Sequence, residues 1–137
     1  MQVQTLSRRQ QIARWALALG WTIFLTIQLV QSIKNPFLPH GIPDGEKSLA
    51  RELFFSSLHL AGFALHTWLW WRTFALHFAP ARAIWLAFIF GLVVGLLTET
   101  AQYFVADRGV QAIDYAANIL GVLLMVLWLH RRQRRTH

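Results

Sequence analysis

There is no cysteine among the 137 residues, which removes disulfides, thiol nucleophiles and cysteine-ligated metals together. Charge is also scarce. Only 14% of residues are charged, against about 25% in ordinary soluble domains, so a membrane class is favoured before any window is read. Acid is scarcest, with 6 Asp+Glu against 13 Lys+Arg and a formal charge of +7. The phosphate-cradling G-x-x-x-x-G-K-[ST] loop, H-E-x-x-H and G-x-S-x-G are all missing, which leaves NTPase, zincin and α/β-hydrolase chemistry unsupported. Proline is confined too: Pro36, Pro39 and Pro43 share one segment with Gly41 and Gly45, and Pro80 stands apart. That segment, residues 35 to 47, reads as an irregular cap. Within it Asp44 could N-cap a short helix over Glu46–Glu52 leading into the second apolar segment.

What remains is apolar. At 55% hydrophobic, a chain of this length has room for one domain spanning 1–137 and could not bury that much surface in a soluble core. Four windows approach the roughly 20 residues needed to cross hydrocarbon: 12–32, 53–71, 83–104 and 112–129. The expected fold is all-α, a bundle of four transmembrane helices. The last two windows qualify only if Glu99, Gln102, Asp114 and Asn118 are admitted to them. A buried helical hairpin in a soluble bundle is the competing reading of that pair. The first window follows Arg8, Arg9 and Arg14 but lacks a small-x-small cleavage site, and so reads as a retained anchor.

The positive charges set an orientation. Arg8, Arg9, Arg14, Arg72, Arg82, Arg131, Arg132, Arg134 and Arg135 fall on one side of the alternating spans, and Lys34, Lys47, Arg51 and Arg108 on the other. Both termini are therefore expected in the cytoplasm of a multi-pass cell-membrane protein. Trp15, Trp68, Trp70, Trp71, Trp85 and Trp128 cluster at the same ends, where indoles favour the interface; only Trp21 lies deeper. Basic residues at segment ends suit an anionic leaflet, and nucleic acid is not expected as a partner.

This topology brings the polar residues to one depth. Glu99 and Gln102 are three apart near the end of the third span, and Asp114 and Asn118 four apart at the start of the fourth, so each pair shares a helix face. Ser56, Ser57 and His59 open the second span at the same level, and Arg108 lies in the loop between the third and fourth. An ionisable group at membrane depth costs roughly 2.5 to 3.5 kcal/mol on insertion scales, so such groups tend to have partners and tasks. Arg108 could reach Glu99 or Asp114 and offset much of that cost.

Plain structural readings stand beside this one. Glu99 and Asp114 could sit at the interface. Asp114 could serve only the helix dipole. Asn118 could be interhelical glue, and His59 a packed histidine. His66, one heptad further in, reads as structural. One histidine with two carboxylates is not a diagnostic metal set, and neither metal nor cofactor is expected. The small-residue faces Gly91-Leu-Val-Val-Gly95 and Ala117-Asn-Ile-Leu-Gly121 suit packing within one chain or a homo-oligomer.

The ordered residues Glu99-x-x-Gln102-x-Phe104-x-x-x-Arg108, then Asp114-x-x-x-Asn118-x-x-Gly121, resemble the signature of the VanZ-like family of small bacterial membrane proteins. His59-Leu-Ala-Gly-Phe63 resembles that family's H-F-x-x-Y element. Where the family commonly has Asp-Lys before this histidine, the chain has Phe55-Ser56. It has Ala106-Asp107 in place of Pro-Gly, and Met125 in place of a later small residue. The resemblance implies a four-span protein of the cell envelope, linked in its founding member to resistance against the glycopeptide teicoplanin. Three functions follow as expectations. The first is binding or modulation of a lipid-linked envelope component or lipidated antibiotic, through Glu99, Gln102, Arg108, Asp114, Asn118 and His59. The second is an intramembrane enzyme acting on a lipid headgroup, with Glu99 or Asp114 as base and His59 as acid. The third is a scaffold for another membrane protein.

Overall fold

The computed structural model describes residues 6–30, 49–104 and 112–135. They form four helices: α1 Arg8–Val30, α2 Leu49–Phe74, α3 Pro80–Gln102 and α4 Ala112–Arg134. All the regular structure described is helical. Three of the four, α1, α3 and α4, are long and apolar enough to cross a membrane. Among the described residues α2 does not meet that measure, because Ser56, His59, His66, Thr67, Thr73 and Arg72 dilute it.

The helix ends differ from the hydropathy windows for local reasons. α1 begins ahead of its apolar run because Ser7 and Gln10 form a reciprocal cap: Gln10 N–H donates to Ser7 Oγ at 3.3 Å and Ser7 N–H to Gln10 Oε1 at 2.9 Å. α2 is continuous from Leu49 through residue 52, so the expected separate helix there is, from Leu49 on, the first turn of α2. Asp44, its expected cap, lies outside the described residues. α3 starts at Pro80, whose fixed φ and missing N–H suit a first helical position. It ends at Gln102, with Tyr103 and Phe104 already in a turn. α4 runs past Leu129 into Arg131, Arg132 and Arg134, where cations oppose the negative end of the helix dipole.

Contacts fix the directions. Arg14 meets the Arg72 carbonyl at 3.2 Å and Trp21 Nε1 donates to the Gly62 carbonyl at 3.2 Å, so α1 and α2 are antiparallel. Ser56 faces Asp114 and His59 faces Asn118, so α2 and α4 are parallel. α2 and α3 form the short diagonal of the bundle. α1 packs on both from one side and α4 from the other, and among the described residues no Cα atom of α1 comes within 8 Å of one in α4. In consequence Arg8, Arg9, Arg14, Arg72, Arg82, Arg131, Arg132, Arg134 and Arg135 collect at one end of the bundle.

The interior holds Leu25, Leu29, Phe63, Val94 and Val122 toward the opposite end, and Ala18, Leu69, Trp70 and Ala87 toward the arginine-rich end. Small residues decide how closely the helices approach. A methyl at Gly121 would collide with the Leu60 carbonyl oxygen, so α4 lies directly on the backbone of α2. A methyl at Gly91 would meet Thr67 Oγ1 at 3.0 Å and Val122 Cγ2 at 3.1 Å. Both small-residue faces therefore serve packing inside this chain. The outward surface is the inverse of a soluble one: Ile23 is 60% exposed, Leu96 58% and Leu97 61%, together with Leu120, Leu124 and Leu127.

Candidate functional site

Three helices place one polar side chain each at the centre of the end opposite the arginines. α2 supplies His59, α3 Glu99 and α4 Asn118, and none is more than 3% exposed. Asn118 Nδ2 donates to Glu99 Oε1 at 2.8 Å. With that amide nitrogen committed, Asn118 Oδ1 can only accept, and His59 Nδ1 lies 2.9 Å from it. His59 Nδ1 therefore carries a hydrogen. The same nitrogen is 3.3 Å from Glu99 Oε1, so the three side chains close a small ring of polar contacts.

The sequence explains why they meet. Alternating helix directions bring the start of α2, the end of α3 and the start of α4 to one level. Gly121, one turn beyond Asn118 on α4, lets that helix approach α2 closely enough for a direct imidazole–amide bond. Gly95, one turn before Glu99, would carry a methyl against Phe63 at 3.4 Å and Asn118 Cβ at 3.5 Å, which holds α3 close to both partners.

Around this triad the other candidates divide. Ser56, one turn before His59, donates to Asp114 Oδ1 at 3.3 Å, so Asp114 flanks the triad at its edge, half-buried. Gln102 is buried at the same end but faces α1: its Nε2 donates to the Leu29 carbonyl at 2.7 Å. That carbonyl lies near the end of α1, so Gln102 ties α3 to α1 at this level. Ser57 is exposed and bonds its own helix at Leu53 O. Arg108 lies outside the described residues.

The triad is not fully satisfied. Glu99 Oε2 is buried and has no hydrogen-bond partner among the described residues. His59 Nε2 likewise makes no hydrogen bond to a described residue. Among the described residues no group of three or more His, Asp or Glu has the geometry of a metal site. The arrangement offers a fixed imidazole and a carboxylate with a spare acceptor.

His66, expected from the sequence to be structural, lies deeper in the bundle among aromatic rings. His66 is 0% exposed and neither ring nitrogen has a hydrogen-bond partner among the described residues; its ring stacks on Phe90 at 5.6 Å with a 14° interplanar angle and packs beside Phe63 and Trp70. Its heptad spacing from His59 was the available signal. The spacing gives the shared face but not the absence of partners.

No protein-family model, curated protein or solved structure matches the chain.

Proposed function

We propose that the protein is an integral membrane protein whose four helices all cross the bilayer, with both termini cytoplasmic and the His59–Asn118–Glu99 triad in the outer half. There it binds the polar headgroup of an amphiphile. The spacing shared with the VanZ-like family points to a lipid-linked envelope component or a lipidated glycopeptide antibiotic as the amphiphile. The nine arginines gathered at one end support the orientation, against Arg51 alone of the described Lys and Arg residues at the polar end. A crossing by α2 is supported by its position: its histidines and threonines face other helices, while its outward side presents Leu53, Leu58, Ala61 and Leu65, with the exposed Ser57 hydroxyl bonded to its own helix.

The observation that carries the binding reading is Glu99: fully buried, bonded through one oxygen to two other helices, and left with a second oxygen that has no partner among the described residues. A carboxylate kept there solely for packing would be expected to use both oxygens. Native mass spectrometry of gently extracted protein tests the reading. The wild-type chain should retain a lipid-mass adduct, and E99Q, which preserves shape, should retain at least tenfold less, by the roughly 1.5–3 kcal/mol of a charged hydrogen bond. Equal retention by both would refute it. Reporter fusions at each terminus check the orientation, and an external terminus would overturn it.

A second reading rests on the His59 orientation. With Nδ1–H directed at Asn118 and Glu99, Nε2 is the ring nitrogen left to exchange a proton with a substrate, as an enzyme modifying a lipid headgroup requires. It is told apart by product: conversion of a bound lipid that E99Q abolishes while retention persists.

A further inference from the structure

We infer that the arginine-rich end carries a site for one anionic phospholipid, its phosphate held between the Arg14 and Arg72 guanidiniums on the seam of α1 and α2. The site lies at the opposite end of the bundle from the triad and uses none of its residues. It shares with the proposed function only the membrane crossing.

The seam brings two cations together without an acid. Leu76 N–H, four residues past Arg72, bonds the Thr73 carbonyl at 3.1 Å. That leaves the Arg72 carbonyl to Arg14 Nη1 at 3.2 Å, while Thr73 Oγ1 reaches the Arg14 carbonyl at 3.4 Å. Arg14 thereby spends one of its five guanidinium donors. The Arg72 guanidinium lies over the Trp68 ring at 4.7 Å and makes no hydrogen bond to a described residue. Both arginines are half-buried, and their charges are close enough to repel one another. Glu52, Glu99 and Asp114 are the acids among the described residues, and all three belong to the opposite end.

A phosphate supplies what the pair lacks: negative charge, and several acceptor oxygens for the N–H groups that remain. The surroundings favour a phosphate that carries acyl chains. On either side of Arg14 the surface of α1 is exposed and apolar, at Ile12, Ala13, Ala16 and Leu17. Half-buried Trp15 and Trp68 stand beside the two arginines, at the level where indoles meet the interface. A basic seam between helices on the cytoplasmic side is a recurrent way of holding an acidic headgroup. A zwitterionic lipid brings the same phosphate with an ammonium, which meets no described carboxylate at this end. The seam therefore selects lipids by net charge.

The test uses the full chain in dodecyl maltoside, titrated with dioctanoyl phosphatidylglycerol and dioctanoyl phosphatidylcholine and read by native mass spectrometry. One phosphatidylglycerol should bind saturably, at least about tenfold more tightly than phosphatidylcholine, the scale of one charge-assisted hydrogen bond. In R14Q/R72Q that preference should collapse to within about twofold. R131Q/R132Q, which removes the same charge from the exposed end of α4, should keep it. R72Q deletes no hydrogen bond between described residues, so it reads the site even where the double variant fails to fold. It should weaken phosphatidylglycerol binding at least about fivefold. Equal binding of the two lipids, uptake of phosphatidylglycerol without saturation, or an equal loss in R131Q/R132Q overturns the proposal, the charge then acting diffusely. Displacement by inorganic phosphate at the lipid's own affinity would give the arginine pair to a free phosphate and overturn the lipid assignment. The adduct expected at the triad should persist in R72Q, so failure of this site and failure of that reading are told apart.

Discussion

His59 and His66 lie one heptad apart on the same buried face of α2, roughly 10 Å apart along its axis, and their surroundings are opposite. His59 enters a polar junction built by two other helices. His66 enters an aromatic stack of Phe63, Phe90 and Trp70, where its nitrogens have no hydrogen-bond partner among the described residues. The helix face is the same, so the difference comes from what α3 and α4 bring to each level. At His59 they bring Glu99 and Asn118. One heptad on, they bring Phe90 and Val122 with the close-packing Gly91. Burial of a histidine therefore does not identify its role; the complementarity of its neighbours does. A buried polar group with partners stabilises and fixes geometry, whereas one without partners costs the folded state.

That contrast breaks most sharply at Asn118. Asn118→Leu removes the amide from His59 Nδ1 and from Glu99 Oε1 at once, leaving them only their mutual 3.3 Å contact, and should lower stability by about 3 kcal/mol in a reversible unfolding titration in detergent. If stability is unchanged, the bonds at the His59 level contribute nothing and the contrast disappears. His66→Phe should move the other way, because a ring of similar shape replaces an unpartnered imidazole. A gain of about 1 kcal/mol is expected in the same titration. A marked loss would mean that His66 has a partner of its own and that the two histidines are alike. Smallest of all, Arg132→Gln removes a guanidinium lying over Trp128 at 5.4 Å on the exposed end of α4. It should change stability by less than about 0.5 kcal/mol, which sets the scale against which the two interior substitutions are judged.

The helices and the meeting of the triad were readable from the chain because two simple rules act together. Apolar length marks the segments, and three- and four-residue spacing puts Glu99 and Asn118 on faces that alternation turns toward His59. The helix ends were not given by the same rule. Hydropathy measures tolerance for hydrocarbon, while α1 and α4 extend on the strength of a Ser7–Gln10 cap and terminal arginines. The cap has a sequence signature, S-x-x-Q, that was open to reading. The role of Gln102 had none, since its partner is the backbone carbonyl of Leu29 on a helix distant in sequence. The partnerless state of His66 was equally hidden, because a missing bond leaves no pattern in spacing.

The position of α1 carries a consequence of its own. Among the described residues its backbone lies close to α2 and α3 but not to α4, and every side chain of the triad comes from the other three helices. α1 is thus a panel laid against a finished kernel, fastened near its far edge where Gln102 grips the Leu29 carbonyl. Changes along its outward side, at Leu19, Ile23 or Ile27, can accumulate without disturbing the imidazole, amide and carboxylate that the remaining helices hold in register.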